Sequence, residues 1–290
     1  MSLTDQVRAT CREIAESARW VTIDLDRLGD LDPGPAPALD AERHYLEGSP
    51  AQVAHYLLVL DSINFGSGWF PTLRKRPGMS GYFTVASSLT DFWRATGGWS
   101  VDELQALRGD DVGSVLGQEP GHELTDLYAE ALRDLGGFLA GGGALDLVEA
   151  TGGSAERLAW MLAQGMPFFD DTGFWKRAQI AANDLALAGV ADFGDLDRLT
   201  IFADNLVPHV LRVDGVLSYH PGLATRIDEG ELLPPGDEER EIRGCAVHAC
   251  ELLSERSGVP AREIDTALWH RGQSPRYKAI PRHRTRTVFY

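Results

Sequence analysis

Apolar residues recur along most of the chain at three- and four-residue spacing. Val7, Cys11, Ile14, Ala15 and Ala18 fall on one face of a helical wheel, and Leu124, Leu127, Tyr128, Ala131, Leu132 and Leu135 on another. This period predicts a mainly α protein. Helix starts carry residues that satisfy free backbone N–H groups: Ser49-Pro50 precedes the run AQVAHYLLVLDSI, and Ser100 is followed three residues later by Glu103 as a capping box. Strand-like alternation is confined to VTIDL at 21–25, with short β pieces expected near 213–219, so only a few short strands are predicted. Gly and Pro concentrate at 30–40, in GGG at 141–143 and at 231–239. The 290 residues suit one compact unit over 1–290, or two packed helical lobes with a seam near 141–153.

Composition narrows the class of protein. No apolar run approaches the roughly 20 residues that span a bilayer, and the N-terminus MSLTDQVRATCREIAESAR is amphipathic without a signal-peptide centre. A cytoplasmic protein with no membrane partner is expected. Cys11, Cys245 and Cys250 form no CxxC pair, so they are expected to be reduced core residues, with no metal site and no cofactor. The net charge of −16 disfavours nucleic acid as a direct partner, because the surface field repels a phosphate backbone. The last twenty residues nevertheless hold Arg271, Arg276, Lys278, Arg282, Arg284 and Arg286 and no acid. Taking those six charges from the total leaves −22 on the first 270 residues. A cationic tail on an acidic body suits one small anion, or else folds back onto acidic surface through salt bridges.

Candidate chemistry lies where aromatic residues mix with charged or amide groups, the combination that sandwiches a flat heterocycle and fixes its edges. Four segments have it: HYLEG at 44–48, DSINFGSGWFP at 61–71, FFDDTGFWKRAQI at 168–180 and LTIFADNLVPHVLR at 199–212. Asp204 stands out among them. Pro208, four residues later, has no N–H for the Asp204 carbonyl and its ring clashes there, so a helix must start, kink or break near Asp204. A carboxylate at such a break, preceded by Phe202 and followed by Asn205, either caps the next helix or projects into a cleft, or does both.

The ordered set of NF within LDSINFGSGWFP, FWKRAQI, FADNLVPHVLR, EIR at 241–243, ALWHRG and the terminal HRTRTVFY resembles the queuosine salvage protein family from about residue 44 to the end. The resemblance implies a helical fold similar to helix-hairpin-helix DNA glycosylases. It also implies an N-glycosidase that releases the 7-deazaguanine base queuine from queuosine 5′-phosphate, a small-molecule nucleotide. Where the family usually carries a more aromatic, Cys-containing stretch after Asn-Phe, this chain has GSGW at 66–69.

On that likeness Asp204 takes the catalytic place, stabilising the positive charge that grows on the sugar, whether it attacks C1′ or steers a water. A 7-deaza base lacks the ring nitrogen commonly protonated in purines, so Asp171, His44 or a water must help the leaving group at another edge. Asn64 and Phe65 are expected at the pocket wall, Phe202 beside Asp204, and Trp269 as a closing ring. Lys176 and Arg177 lie about 100° apart in helical projection, so one reaches the 5′-phosphate while the other pairs with an acid; Lys176 is favoured for the ligand. Arg284, near His283 and Arg286, is the other phosphate candidate. Glu241 and Arg243 are expected to be a structural ion pair or helix surface, outside the site. Two other functions fit the residues less well: a DNA or RNA base glycosylase of the same architecture, and a non-catalytic carrier of queuine or a nucleotide.

Overall fold

The α-helical period carries through almost the whole chain: the computed structural model describes all 290 residues and folds them into fifteen α-helices and one two-stranded sheet. In the helix Leu3–Glu16 the predicted face buries Val7 and Cys11, and it packs against the long helix Asp237–Ser257. In Glu123–Phe138 the buried stripe is Leu124, Tyr128, Ala131, Leu132 and Leu135. Both predicted helix starts form: Ser100 with Glu103 opens Val101–Ala106 as the expected capping box, and Ser49 opens Pro50–Ser62, where Gln52 completes a second box. The strand expected at 21–25 is shorter, Val21–Ile23. Asp24 ends it by accepting the Arg27 N–H at 2.9 Å and so capping the helix Leu25–Asp30. Its antiparallel partner is Leu217–Tyr219, with Thr22 opposite Ser218.

The helix Pro50–Ser62 is buried at nearly every position from Val53 onward and contacts Glu123–Phe138, Ala144–Ala150 and Lys176–Leu187. It is therefore apolar all round instead of amphipathic. The 72 buried residues of the main cluster lie on both sides of the GGG at 141–143, Leu135 and Leu147 among them. The cysteines are free and buried. No helix is long and apolar enough to cross a membrane.

The C-terminal segment is extended and threads back into the helices. The Gly66 N–H donates to the Tyr290 carbonyl at 3.0 Å, and the Leu233 N–H to the Arg284 carbonyl at 2.9 Å. A Cβ at Gly68 would lie 2.5 Å from the Thr285 carbonyl oxygen. The small residues of GSGW thus make room for the tail, and Trp69 is a buried core residue whose Nε1–H donates to Glu123 at 2.8 Å.

Candidate active site

One cavity of about 880 Å³ dominates the molecule, within the range of small-molecule sites. Asp204 sits on its lining, in the loop that precedes the helix Val207–Val213. Pro208 stands in the first turn of that helix, so the chain begins a helix there, as its ring requires. Asp204 Oδ1 accepts the Leu206 and Val207 N–H groups at 2.7 and 3.1 Å, while Oδ2 accepts no hydrogen bond from the protein. One oxygen is thus fixed by the helix start and the other is left for the cavity.

Lys176 opens the helix Lys176–Leu187 and also lines the cavity. The residue before it, Trp175, has φ 44°, in the left-handed region that a side chain of this size rarely adopts. That conformation lets the chain turn sharply into the helix with the Lys176 side chain directed inward, where Nζ donates to the Asn64 carbonyl at 3.1 Å. Burial pulls the Lys176 pKa down to about 8, against the attraction of Asp204, Asp61 and Asp265.

The aromatic wall consists of Phe65, Phe202, Trp269, Tyr82 and Phe83. Trp269 meets Tyr82 and Phe83 edge-on at centroid distances of 5.4 and 5.6 Å, and Phe65 meets Tyr128 at 5.0 Å. His44 also lines the cavity. Its Nδ1 lies 2.9 Å from the Asp40 carbonyl, which can only accept, so the neutral ring carries its proton on Nδ1 and Nε2 accepts from the Tyr82 hydroxyl at 2.9 Å. Burial lowers the His44 pKa, keeping that neutral ring. Asn64 and Arg284 complete the expected residues that reach the cavity; Arg284 donates to the Gly230 carbonyl at 3.0 Å.

Two expected residues do not reach it. Asp171 is absent from the lining because both its oxygens are taken by Arg243: Nη1 donates to Oδ1 at 3.1 Å, and Nη2 donates to Oδ2. The Arg243 guanidinium lies 3.9 Å from the Phe174 ring centroid, and its Nε–H donates to the Ala203 carbonyl at 2.8 Å. Burial opposes its charge, yet Asp171 and Glu239 hold Arg243 above the ordinary guanidinium range. Arg177 is likewise structural and takes carbonyls in place of the expected acid, donating to those of Ser62 at 2.6 Å, Val288 at 2.7 Å and Phe168. Arg243 and Glu241 are both buried and structural but not paired with each other, since Glu241 accepts the Arg19 and Trp20 N–H groups.

The basic tail divides. Arg271 and Arg276 pair with Asp214 at 3.3 and 3.1 Å and Arg286 with Glu123 at 3.1 Å, whereas Lys278, Arg282 and Arg284 line the cavity. Arg282, which the sequence did not distinguish from its neighbours, has no ion-pair or hydrogen-bond partner for its guanidinium. Burial lowers its pKa, and the nearby Asp204 charge works against that. Three carboxyls also escaped notice: Asp265, Asp184 and, behind the lining, Asp61. A signal for them existed, because Asp61 ends the apolar run YLLVL, Asp184 follows the small-residue run AAN on the helix of Lys176, and Asp265 stands one turn before Trp269. Burial and the Asp184 charge raise the Asp61 pKa, and burial pushes Asp184 up to about 7.

A family model described as queuosine salvage protein matches residues 44–290. A protein of Sphaerobacter thermophilus is 34% identical, with 98% of this chain and 97% of that one covered. A Bos taurus protein is 33% identical over 98% of each chain, and one from Nematostella vectensis 30% identical over 87% and 85%. All three relatives are named queuosine 5′-phosphate N-glycosylase/hydrolase.

Proposed function

The chain belongs to the queuosine salvage protein family, and from that premise we propose that it hydrolyses the N-glycosidic bond of queuosine 5′-phosphate, freeing queuine. The observation that carries the reading is the state of Asp204: one oxygen is held by the helix start and the other is free in an aromatic cavity. Cleaving C1′–N9 builds positive charge on the ribose, and a carboxylate fixed in advance stabilises that charge more than the neutral ground state. Lys176 shares the cavity with Asp204 and is attracted by its carboxylate.

The base lies between the aromatic groups, with Phe65, Phe202 and Trp269 as platforms and Asn64 and His44 at its edges. Arg282 and Arg284 receive the 5′-phosphate, Arg282 being a guanidinium with no partner in the protein, and Lys176 adds positive charge deeper in the cavity. The likeness to helix-hairpin-helix DNA glycosylases belongs to the same reading, supported by the way Asp204 opens the helix Val207–Val213. The net charge of −16 favours the free nucleotide over a nucleic acid as substrate. The test is release of free queuine from queuosine 5′-phosphate, followed by mass-resolved chromatography, for the wild type and Asp204→Asn in parallel. Release by the wild type and a loss of at least about a hundredfold in the variant are expected. Equal release by both refutes the role of Asp204; binding without release reduces the function to a carrier.

A further inference from the structure

A 7-deazaguanine is a poor leaving group. With carbon at position 7, it cannot take a proton at the site where a purine usually does, so the electron pair from the broken C1′–N9 bond needs a proton at another ring nitrogen. The cavity holds a second carboxyl suited to supply it. Asp265 lies on the helix Ala261–Arg271, lines the same cavity as Asp204, and is only 5% exposed. Its Oδ1 accepts the Phe202 N–H at 2.8 Å, two residues before Asp204, which ties the two carboxyls to one stretch of backbone. Its Oδ2 has no hydrogen-bond partner in the protein, and one helical turn onward Trp269 forms part of the aromatic wall.

We propose that Asp265 is the general acid of the reaction, delivering the proton on Oδ2 to N3 of the departing base while Asp204 serves the ribose. The inference rests on the glycosidase reading above. In the balanced step the C1′–N9 electron pair moves onto the base, the Asp265 proton bonds to N3, the hydroxyl of a water bonds to C1′, and the remaining proton of that water passes to Asp204. The products are neutral queuine and ribose 5-phosphate; exchange with solvent returns each carboxyl to its starting state. The surroundings divide the two acids in the required sense. Asp204 has two N–H donors and Lys176 beside it. Asp265 is pushed well above the ordinary carboxylate range by burial and by the Asp204 charge, opposed by the Phe202 N–H and Lys176, with Asp184 adding to the rise. A buried carboxyl that keeps its proton, with one oxygen free towards the cavity, is placed to act as an acid.

Asp265→Asn keeps an oxygen for the Phe202 N–H and removes the transferable proton. In single turnover with queuosine 5′-phosphate its rate constant is expected to fall at least about a hundredfold while affinity for free queuine changes less than about threefold. The wild-type rate constant is expected to fall as pH rises, and that basic limb to vanish in Asp265→Asn. A loss below about tenfold overturns the proposal, as does a loss matched by weakened queuine binding, which would make Asp265 a base-edge acceptor. Persistence of the basic limb in the variant also overturns it and transfers the limb to Lys176. Should the variant not fold, the wild-type profile decides alone, because a rate constant level from neutral to alkaline pH is incompatible with a proton donor. No base release by the wild type at any pH is a failure of the glycosidase reading itself, and with it the proposal is rejected.

Discussion

Asp171 offers a sharp separation between a residue that holds the site up and one that works in it. Asp171→Asn keeps the shape of the side chain and removes the charge opposite Arg243, a guanidinium that is 2% exposed. Removing one partner of a buried pair costs about 3–5 kcal/mol, because the other charge is left without compensation. Two contacts soften the loss here: Glu239 lies 3.4 Å from Arg243 Nη1, and Nε retains the Ala203 carbonyl at 2.8 Å. The lower end, about 3 kcal/mol, follows, and for a chain of this size it lowers Tm by roughly 5 °C. The Ala203 contact also keeps Asp204 where it was, so turnover measured well below the transition is expected within about threefold of wild type. Calorimetry and queuine release on the same sample make the assay. An unchanged Tm with turnover reduced a hundredfold or more refutes the reasoning and places Asp171 in the chemistry.

Other outcomes follow from the same geometry. Arg282→Met removes an unpaired cavity cation, so KM for queuosine 5′-phosphate is expected to rise at least about tenfold, with affinity for free queuine unchanged; equal weakening of both, seen by titration calorimetry, rejects the phosphate role. Burial raises the folded pKa of Asp184 to about 7, from the ordinary carboxylate value of 3.8, so its contribution is favourable at low pH and lost as pH rises through that window. Asp184→Asn removes the ionisable group and is expected to raise Tm relative to wild type more at pH 8 than at pH 5; a pH-independent difference in thermal melts contradicts this. Phe202→Ala is expected to weaken queuine binding by about 1–3 kcal/mol through loss of a stacking platform, measured by fluorescence titration. Exhaustive chelation is expected to leave turnover intact, because no group of three or more His, Cys, Asp or Glu side chains is placed to share a metal ion.

The helical periods, the helix starts at Ser49 and Ser100 and the break near Asp204 were legible because each depends on residues within one or two turns of one another. Pro208 acts four residues away, and its consequence for backbone geometry needs no tertiary information. Asp171 and Arg177 were not legible for the complementary reason. Each lies in a segment of suitable composition, but what decides its role is a partner far along the chain: Arg243 for Asp171, and the carbonyls of Ser62 and Val288 for Arg177. Asp61 was hidden differently, at the end of an apolar helix that the hydrophobic pattern assigns to the core, and Asp184 on a mixed helix whose buried face only the tertiary packing defines.

The placement of charge ties these observations together. A chain of net charge −16 buries several carboxyls around one cavity, and like charges gathered in a poorly solvated space repel one another. Lys176 relieves the strain from one side, and Arg282 and Arg284 reach the cavity from the tail, which is why the cations of an acidic protein are concentrated at its last residues. The relief is partial. Only Asp204 combines donors, a helix start and a neighbouring cation; Asp184 and Asp265 are left to hold protons. A nucleotide adds negative phosphate at the basic side and, in the transition state, positive charge beside Asp204. Its charge distribution therefore opposes that of the empty cavity at both ends, and most strongly as the glycosidic bond breaks.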